Sequence, residues 1–359
     1  MRNWRELLEI SDHIGNKKIV VGYDGFIDTT ARPIAQTATD KTDAKMFETI
    51  KEFGEFLVSK ANKSCSVELK VESKHLGGNL AYLSKGARAM GLNVTGIGML
   101  GDGGTIDEVF RKLDCTLYSF GGPGQSTCLE FQDGKVMLAP AVTLEENGWD
   151  LVRKATDDKA PELFVQADLI ALVNWSELSF ATELWRDTYL NSLLNTPVDK
   201  GRFAFFDLCD ISRKSGVEIE EVLRMIGCYG EYRTTILSMN ENEMQVVMEK
   251  VLEKELGLGE AGQEIREKYH IDEILVHTVR KSMLMNQYGT FQKETDFIEH
   301  PVMSTGAGDH FNAAACFGAV MGLNWEERLN LANRASSMYV ATGKSPTLLA
   351  VVDSLMGHG

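Results

Sequence analysis

The densest chemistry in the sequence lies near its C-terminal end, in Ser304-Thr305-Gly306-Ala307-Gly308-Asp309-His310-Phe311-Asn312. The apolar, Ala-rich run from Phe311 to Val320 has helical spacing, so the small residues fall at the start of a helix. Gly306 and Gly308 let the chain turn tightly and leave its amides open to a ligand. Unbonded N–H groups and the positive dipole end of a helix make a seat for phosphate or a developing oxyanion. Asp309 stands in the same turn. An anion cradle beside a carboxylate is what phosphoryl transfer to a hydroxyl requires. The plainer alternative is that Ser304 or Thr305 is an N-cap and Asp309 a first-turn acid, worth about 0.3–1 kcal/mol against the dipole.

Other groups of residues bear on that choice. The apolar run Lys18-Ile19-Val20-Val21-Gly22 reads as a buried strand that breaks into Tyr23-Asp24-Gly25-Phe26-Ile27-Asp28. Acids after such a strand lie where α/β sheets bind ligands. Gly77-Gly78-Asn79 opens a helix running to about Ala89, and its paired glycines allow close backbone approach. After a strand at Thr235 to Leu237, Asn240 and Glu243 have capping-box spacing. The same amide and carboxylate at a strand's carboxyl end also suit a hydrated Mg²⁺ beside phosphates, since Mg²⁺ keeps several waters. Gly96-Ile97-Gly98-Met99-Leu100-Gly101 matches the dinucleotide pattern, with a plausible helix from Ile106 to Leu113 behind it. The acid expected at the end of the next strand is missing, because that strand runs into Gly121-Gly122-Pro123. An NAD-dependent oxidoreductase is therefore a remote alternative.

The elements that must position these groups follow from the pattern. Strands at 168–173, 203–206, 235–237 and 273–276 alternate with helical segments, which predicts βαβ units and a largely parallel sheet. Residues 66–72 alternate apolar and polar, and Gln132-Asp133-Gly134 marks a hairpin, so a small second sheet is expected. Residues 44–61 have helical periodicity, a hairpin turns at Tyr288-Gly289, and a last helix starts at Trp325. With no linker or repeat, residues 1–359 read as one domain. The 359 residues are 43% hydrophobic and carry a net charge of −15 with no basic block, which argues against nucleic-acid or anionic-membrane partners. Six scattered cysteines lack metal spacing and read as thiols of a reducing compartment. The N-terminal Met1-Arg2-Asn3-Trp4-Arg5-Glu6-Leu7-Leu8 lacks the apolar core of a signal peptide, so a cytoplasmic location is expected.

In this order the residues resemble the ribokinase-like (PfkB) carbohydrate kinase family, from about residue 17 to about residue 350. The resemblance implies a three-layer α/β/α sandwich with a mostly parallel sheet and a small β-strand lid, its strands within about 66–75 and 126–139. It implies that Asp309 is the general base and that the amides of Gly306, Ala307 and Gly308 form the anion hole. Gly77, Gly78 and Asn79, with Asp24 or Asp28, are implied to bind the sugar-like substrate. Asn240, Glu243, Thr278, Thr305 and Arg213 are implied on the nucleotide side, Glu243 acting indirectly on Mg²⁺. ATP is the implied phosphoryl donor. A homodimer paired through the lid and a monomer both occur in the family.

Some positions depart from the family pattern. Met303-Ser304 stands where Asp-Thr is frequent, Tyr82 where the glycine motif carries Asn, and Arg280 where a Thr-x-Gly turn lines the nucleotide. The frequent Pro-x-Asn after the strand ending at Asp207 is missing. The expected activity is transfer of a nucleotide γ-phosphoryl to a hydroxyl of a sugar or sugar-like molecule. The departures motivate one alternative, a non-catalytic sugar or nucleotide binder on the same fold, against which stands the retained Asp309. The acceptor itself is left open among sugars, nucleosides, keto-deoxy acids and vitamin-type alcohols.

Overall fold

The computed structural model describes residues 4–9, 14–39, 42–140, 142–144 and 146–357; the first three residues of the N-terminal segment lie outside them. The chain opens with α1 (Trp4–Glu9), β1 (Lys18–Tyr23), β2 (Phe26–Gln36), β3 (Lys45–Met46), α2 (Ile50–Ser59), β4 (Leu69–Gly77), α3 (Asn79–Ala89) and β5 (Asn93–Gly98). It continues through β6 (Thr116–Ser119), the hairpin β7 (Gly124–Phe131) and β8 (Gly134–Leu138), α4 (Gly148–Ala155), α5 (Ala160–Gln166), β9 (Leu169–Leu172) and α6 (Ala181–Thr188). Then come β10 (Phe203–Asp207), α7 (Gly216–Tyr229), β11 (Thr234–Asn240), α8 (Glu241–Val247), α9 (Leu258–Tyr269) and β12 (Glu273–His277). The hairpin of β13 (Lys281–Asn286) and β14 (Gly289–Glu294) precedes α10 (Ala307–Val320), α11 (Trp325–Thr342) and α12 (Leu348–Gly357).

Among the described residues the large sheet has nine strands in the order β14-β13-β12-β11-β10-β9-β1-β5-β6. Every pairing from β6 to β12 is parallel, and only β13 runs against the rest, antiparallel to both β12 and β14. The strands are apolar on both faces because both faces are covered. On β9, Leu169 and Ala171 enter one core and Ile170 and Leu172 the other, the two-residue period of a strand made visible. One core packs α4 to α9 against the sheet, the other α1, α3, α10, α11 and α12. This is the expected three-layer α/β/α sandwich.

The smaller sheet joins β3, β2, β7 and β8 in that order, with β4 also paired to β2. Its β7–β8 hairpin closes at the predicted Asp133-Gly134 turn. The segment after β1 differs from the sequence reading. It forms an 11-residue strand, β2, that leaves the large sheet and becomes the centre of the small one, paired with β4 on one side and β7 on the other. The strand expected at 66–72 forms at Leu69–Gly77, and the 44–61 helix shortens to α2 behind β3. In α2 the cap and capping box are supplied by Thr49 and Glu52. Phe53 on α2 stacks against Phe47 and Phe131, which fixes the helix to one side of the small sheet.

The helix expected from Ile106 to Leu113 is absent. Two short 3₁₀ turns, Asp102–Gly104 and Phe110–Lys112, stand there, because Asp107 N–H bonds back to Leu100 O at 2.8 Å and Phe110 is drawn fully into the core. Gly96 and Gly98 lie within β5. The dinucleotide pattern therefore has neither its turn nor its helix. No helix of the described residues is long and apolar enough to cross a membrane.

The site depends on α10 being held against the sheet, and Phe317 on that helix is fully buried. Phe317→Ala should lower the unfolding free energy by about 3–5 kcal/mol in chemical denaturation; a change below 1 kcal/mol would show that α10 is not packed as described.

Candidate active site

Because the central strands are parallel, their carboxyl ends share one edge, and the chain places Asp24, Asn174, Asp207, Asn240 and His277 along it. Strand order reverses between β1 and β9, the point at which open α/β sheets bind ligands. Asp24 sits there, fully buried. Its carboxylate accepts the N–H groups of Asn79 and Leu80 at 2.7 and 2.8 Å and the Asn174 side-chain amide at 2.7 Å. One side chain thus ties β1 to the first turn of α3 and to the loop after β9. Burial pushes its carboxyl up to about 6 against the opposing effect of these donors. Gly78, the cap of α3, has φ 90°, and a Cβ on it would lie 2.4 Å from the Asp24 carboxylate. A Cβ on Gly77 would lie 2.4 Å from the carboxylate of Asp28. The paired glycines are required by two acids at once.

The turn before α10 bears on one of the two readings posed by the sequence. The helix is capped by Gly306 in the left-handed region at φ 86°, and no side chain caps it. Thr305 and Ser304 are therefore not N-caps. Thr305 offers its carbonyl to the Tyr339 hydroxyl at 2.9 Å. Ala307 N–H is used within the turn, donating to Ser304 O at 3.1 Å. Those of Gly306, Gly308 and Asp309 meet no acceptor among the described residues. They are the amides left for an anion. Asp309 Oδ1 is closed off from solvent without a partner. Burial, with Asp207 and Asp24 nearby, holds this carboxyl well above the ordinary carboxylate range, while the Asn79 side chain opposes the shift as a donor. A buried acid with a raised affinity for a proton, beside open amides, can take a proton from a hydroxyl.

On the other side of the turn a cavity of about 620 Å³ is lined by Asn240, His277, Thr278, Phe297, Gly308 and Asn333, among others. Asn240 and Glu243 form the predicted capping box, with Glu243 Oε2 accepting Asn240 N–H at 2.9 Å and Oε1 accepting its side-chain amide at 2.6 Å. Asp207 accepts Cys209 N–H at 2.8 Å and the Asn312 amide at 2.6 Å, and Asn312 in turn accepts from Ser238 at 2.7 Å. Burial raises Asp207 to about 6, and burial together with Asp207 raises Glu243 well above its usual range. Among the described residues no group of three or more His, Cys, Asp or Glu could hold a metal ion directly. Two mutually repelling buried carboxylates nonetheless fit Mg²⁺, which takes one or two carboxylates and keeps its waters. Thr278 lines the cavity, and its hydroxyl accepts the N–H groups of Arg280 and Lys281, each at 3.1 Å. Arg280 has no left-handed backbone, so the missing glycine costs nothing there; its guanidinium lies 5.1 Å over Phe297 at the rim. Arg213 is not brought to the cavity. It is exposed and paired with Glu177 at 2.9 Å.

The small sheet carries Asp28. Asp28 on β2 accepts the Ser126 hydroxyl from β7 at 2.5 Å. Tyr82, one turn into α3, packs under the anion turn, since a Cβ on Gly306 would lie 2.7 Å from its ring. Burial raises its phenol, and the nearby Tyr339, Asp28 and Asp309 add to the shift. Sequence reasoning did not assign Asp207, Asn174, His277 or Asn333 to the site. Asp207 and His277 end parallel strands and Asn174 lies just past one, so the carboxyl-edge rule carried a signal for them. Nothing local marks Asn333 on α11.

Asp24 and Asp28 separate experimentally. Asp24→Asn keeps one acceptor oxygen and turns its NH₂ toward at least one of the three donors, which should cost about 1–3 kcal/mol of stability for each bond lost, whereas Asp28→Asn should keep its Tm and raise the acceptor KM. If Asp24→Asn keeps its Tm while losing acceptor affinity, the assignment is reversed. The raised folded pKa of Asp24 also has a sign. Its contribution to stability is complete below the unfolded value, about 4, and is lost as pH rises through about 6. Urea midpoints measured across that window should decline less in Asp24→Asn than in the wild type.

The model of the prokaryotic ketohexokinase family matches residues 4–358 of the chain. A ketohexokinase of Haloferax volcanii is 23% identical over 343 residues, covering 94% of this chain and 90% of that one. Among solved structures, the Arabidopsis thaliana ribokinase complexed with ribose and ATP superposes with a TM-score of 0.62 at 18% identity, covering 94% of this chain and 98% of that one. An E. coli protein assigned as ribokinase II, in complex with ATP and Mg²⁺, gives a TM-score of 0.64 at 13% identity over 96% of this chain and 99% of that one. These two likenesses show the ribokinase-like fold. The family match covers nearly the whole chain and takes in the Asp309 turn, the Asn240–Glu243 pair and the paired glycines, so the chain belongs to the prokaryotic ketohexokinase family of PfkB-like carbohydrate kinases.

Proposed function

We propose that this sugar kinase transfers the γ-phosphoryl of ATP to a hydroxyl of a ketohexose, with Asp309 as general base. The observation that carries the reading is the pairing of open amides at Gly306, Gly308 and Asp309 with a buried, unpartnered carboxylate oxygen on Asp309 itself. The acceptor oxygen bonds to the γ-phosphorus, the bond from that phosphorus to the bridging oxygen breaks, and ADP leaves. The acceptor proton goes to Asp309. The amides stabilise charge on the transferring group as preorganised donors.

Substrate binding falls to Asp28, Asn79 and the backbone at Gly77 and Gly78, with Asp24 holding that backbone in place. The relatives' names support a sugar acceptor, and the ATP- and Mg²⁺-bound structures support the donor. Asn333 favours an adenine base. Its side-chain amide donates to Glu294 O at 3.2 Å, leaving Oδ1 a buried, unpartnered acceptor on a residue of the cavity wall. Such an oxygen suits an exocyclic amine. Glu243 and Asp207 would hold a hydrated Mg²⁺, which would supply neutralisation of phosphate charge. Residues 1–359 act in this reading as one kinase domain with the small sheet as its lid, which excludes competing water. The exposed Val71 and Leu138 of that sheet are compatible with pairing of two lids in a homodimer. The free cysteines suit a cytoplasmic location.

Asp309→Asn should lose about 10²–10⁴ in kcat and keep or raise its Tm, since a desolvated carboxyl is removed. ADP release with D-fructose, ATP and Mg²⁺ is the assay. The wild-type rate should rise with pH along a limb lying above the ordinary carboxylate range, following the raised pKa of Asp309. Near wild-type turnover in the variant would remove Asp309 from the role of base.

A further inference from the structure

Lys135 is the second residue of β8, beside the hairpin turn of the small sheet. Its ammonium donates to Thr305 Oγ1 at 3.4 Å, across 170 positions of sequence. Thr305 is the residue immediately before Gly306. The hairpin that carries Lys135 is braced. Ile50 N–H donates to Asp133 Oδ1 at 2.8 Å, Gln132 N–H to Glu48 O at 2.8 Å, and the Gln132 side chain to Glu48 Oε2 at 2.6 Å. The lysine is thus delivered by a fixed turn.

Its surroundings run against simple electrostatics. Among the described residues Lys135 has no carboxylate within 4.0 Å, in a chain with net charge −15. It instead approaches the N-terminal turn of α10, the positive end of a 14-residue helix. A helix dipole favours anions there and disfavours cations. A cation and an array of unbonded amides facing the same small space become favourable together when an anion lies between them.

We propose that Lys135 is a catalytic residue of this kinase, closing the anion hole from the lid side and contacting the transferring phosphoryl group. This rests on the kinase reading above. Lys135 neither gives nor takes a proton in the step. Bond formation to the γ-phosphorus, departure of ADP and proton transfer to Asp309 remain as written, while the ammonium compensates charge on the phosphoryl oxygens. The small sheet then completes the catalytic charge distribution as well as covering the acceptor, and lid closure and catalysis are coupled through one side chain.

The test compares Lys135→Met and Lys135→Arg with the wild type, using D-fructose, ATP and Mg²⁺ and reading ADP release. Lys135→Met is expected to lose about 10²-fold in kcat, the size of effect seen when one preorganised donor is removed. Its fructose KM should stay within about twofold and its Tm should be unchanged, since the side chain is exposed. Lys135→Arg should recover at least tenfold of the loss. A second measurement, without acceptor, follows ATP hydrolysis. If Lys135 only latches the lid, Lys135→Met keeps its kcat and hydrolyses ATP faster, and the proposal is overturned. It is equally overturned if the loss appears as a raised KM confined to an anionic acceptor such as a sugar acid, which would make Lys135 an acceptor-reading residue. A wild type that releases no ADP with fructose or other acceptors counts against the kinase reading itself, whereas an active wild type with an equally active Lys135→Met counts against this proposal alone.

Discussion

The buried carboxylate of Asp24 is the interaction on which the site depends. Three donors from separate parts of the chain converge on it: two backbone amides at the start of α3 and the side chain of Asn174 after β9. They meet where strand order reverses between β1 and β9. Without that acceptor the first turn of α3 would have buried, unpaired N–H groups, and each such group costs more than a made bond returns. Fixing that turn fixes Gly77 and Gly78 against Asp28 and Asp24, with Asn79 beside Asp309. One buried acid can therefore set the geometry of the residues around it.

A second constraint is charge. Asp24, Asp207 and Glu243 all lie close enough to Asp309 to raise its carboxyl, and burial raises all four above their usual range. The cluster is tolerated because most of its oxygens accept hydrogen bonds from Asn174, Asn240, Asn312 and backbone amides. Against this acidic cluster stands the open end of α10, with Lys135 above it. The two halves have opposite preferences, cations at the Asp207–Glu243 end and anions at the turn. A metal–nucleotide complex carries both charges in one ligand, which is the electrostatic fit of a phosphoryl-transfer site.

The positions that depart from the family pattern are absorbed by packing. Tyr82 fills the space beneath Gly306 with its ring, so it supports the turn before α10. Arg280 needs no special backbone because the Thr278 hydroxyl holds the turn. Met303 lies half-exposed at the rim, its N–H on Val340 O at 3.2 Å. None of the three disturbs Asp309 or its neighbouring amides.

Local sequence determined a good deal of this protein. Continuous apolar runs fixed the parallel strands, Asn240 and Glu243 their capping box, Asp133-Gly134 its hairpin, and the small residues at 304–308 the turn before α10. Each is decided within a few residues, by propensity or a short-range hydrogen bond. Other features were settled only by contacts far apart in sequence. The run from Phe26 to Gln36 became a strand because β4 and β7 pair with it. Residues 106–113 lost their helix because Phe110 had to enter the core. Whether Ser304 and Thr305 cap α10, whether Asp24 or Asp28 is free for a ligand, and where Lys135 and Asn333 lie depend on partners that no local pattern names. Side-chain type and spacing state what chemistry is available. The three-dimensional packing decides which of those groups have a hydrogen bond already, and so which remain for a substrate.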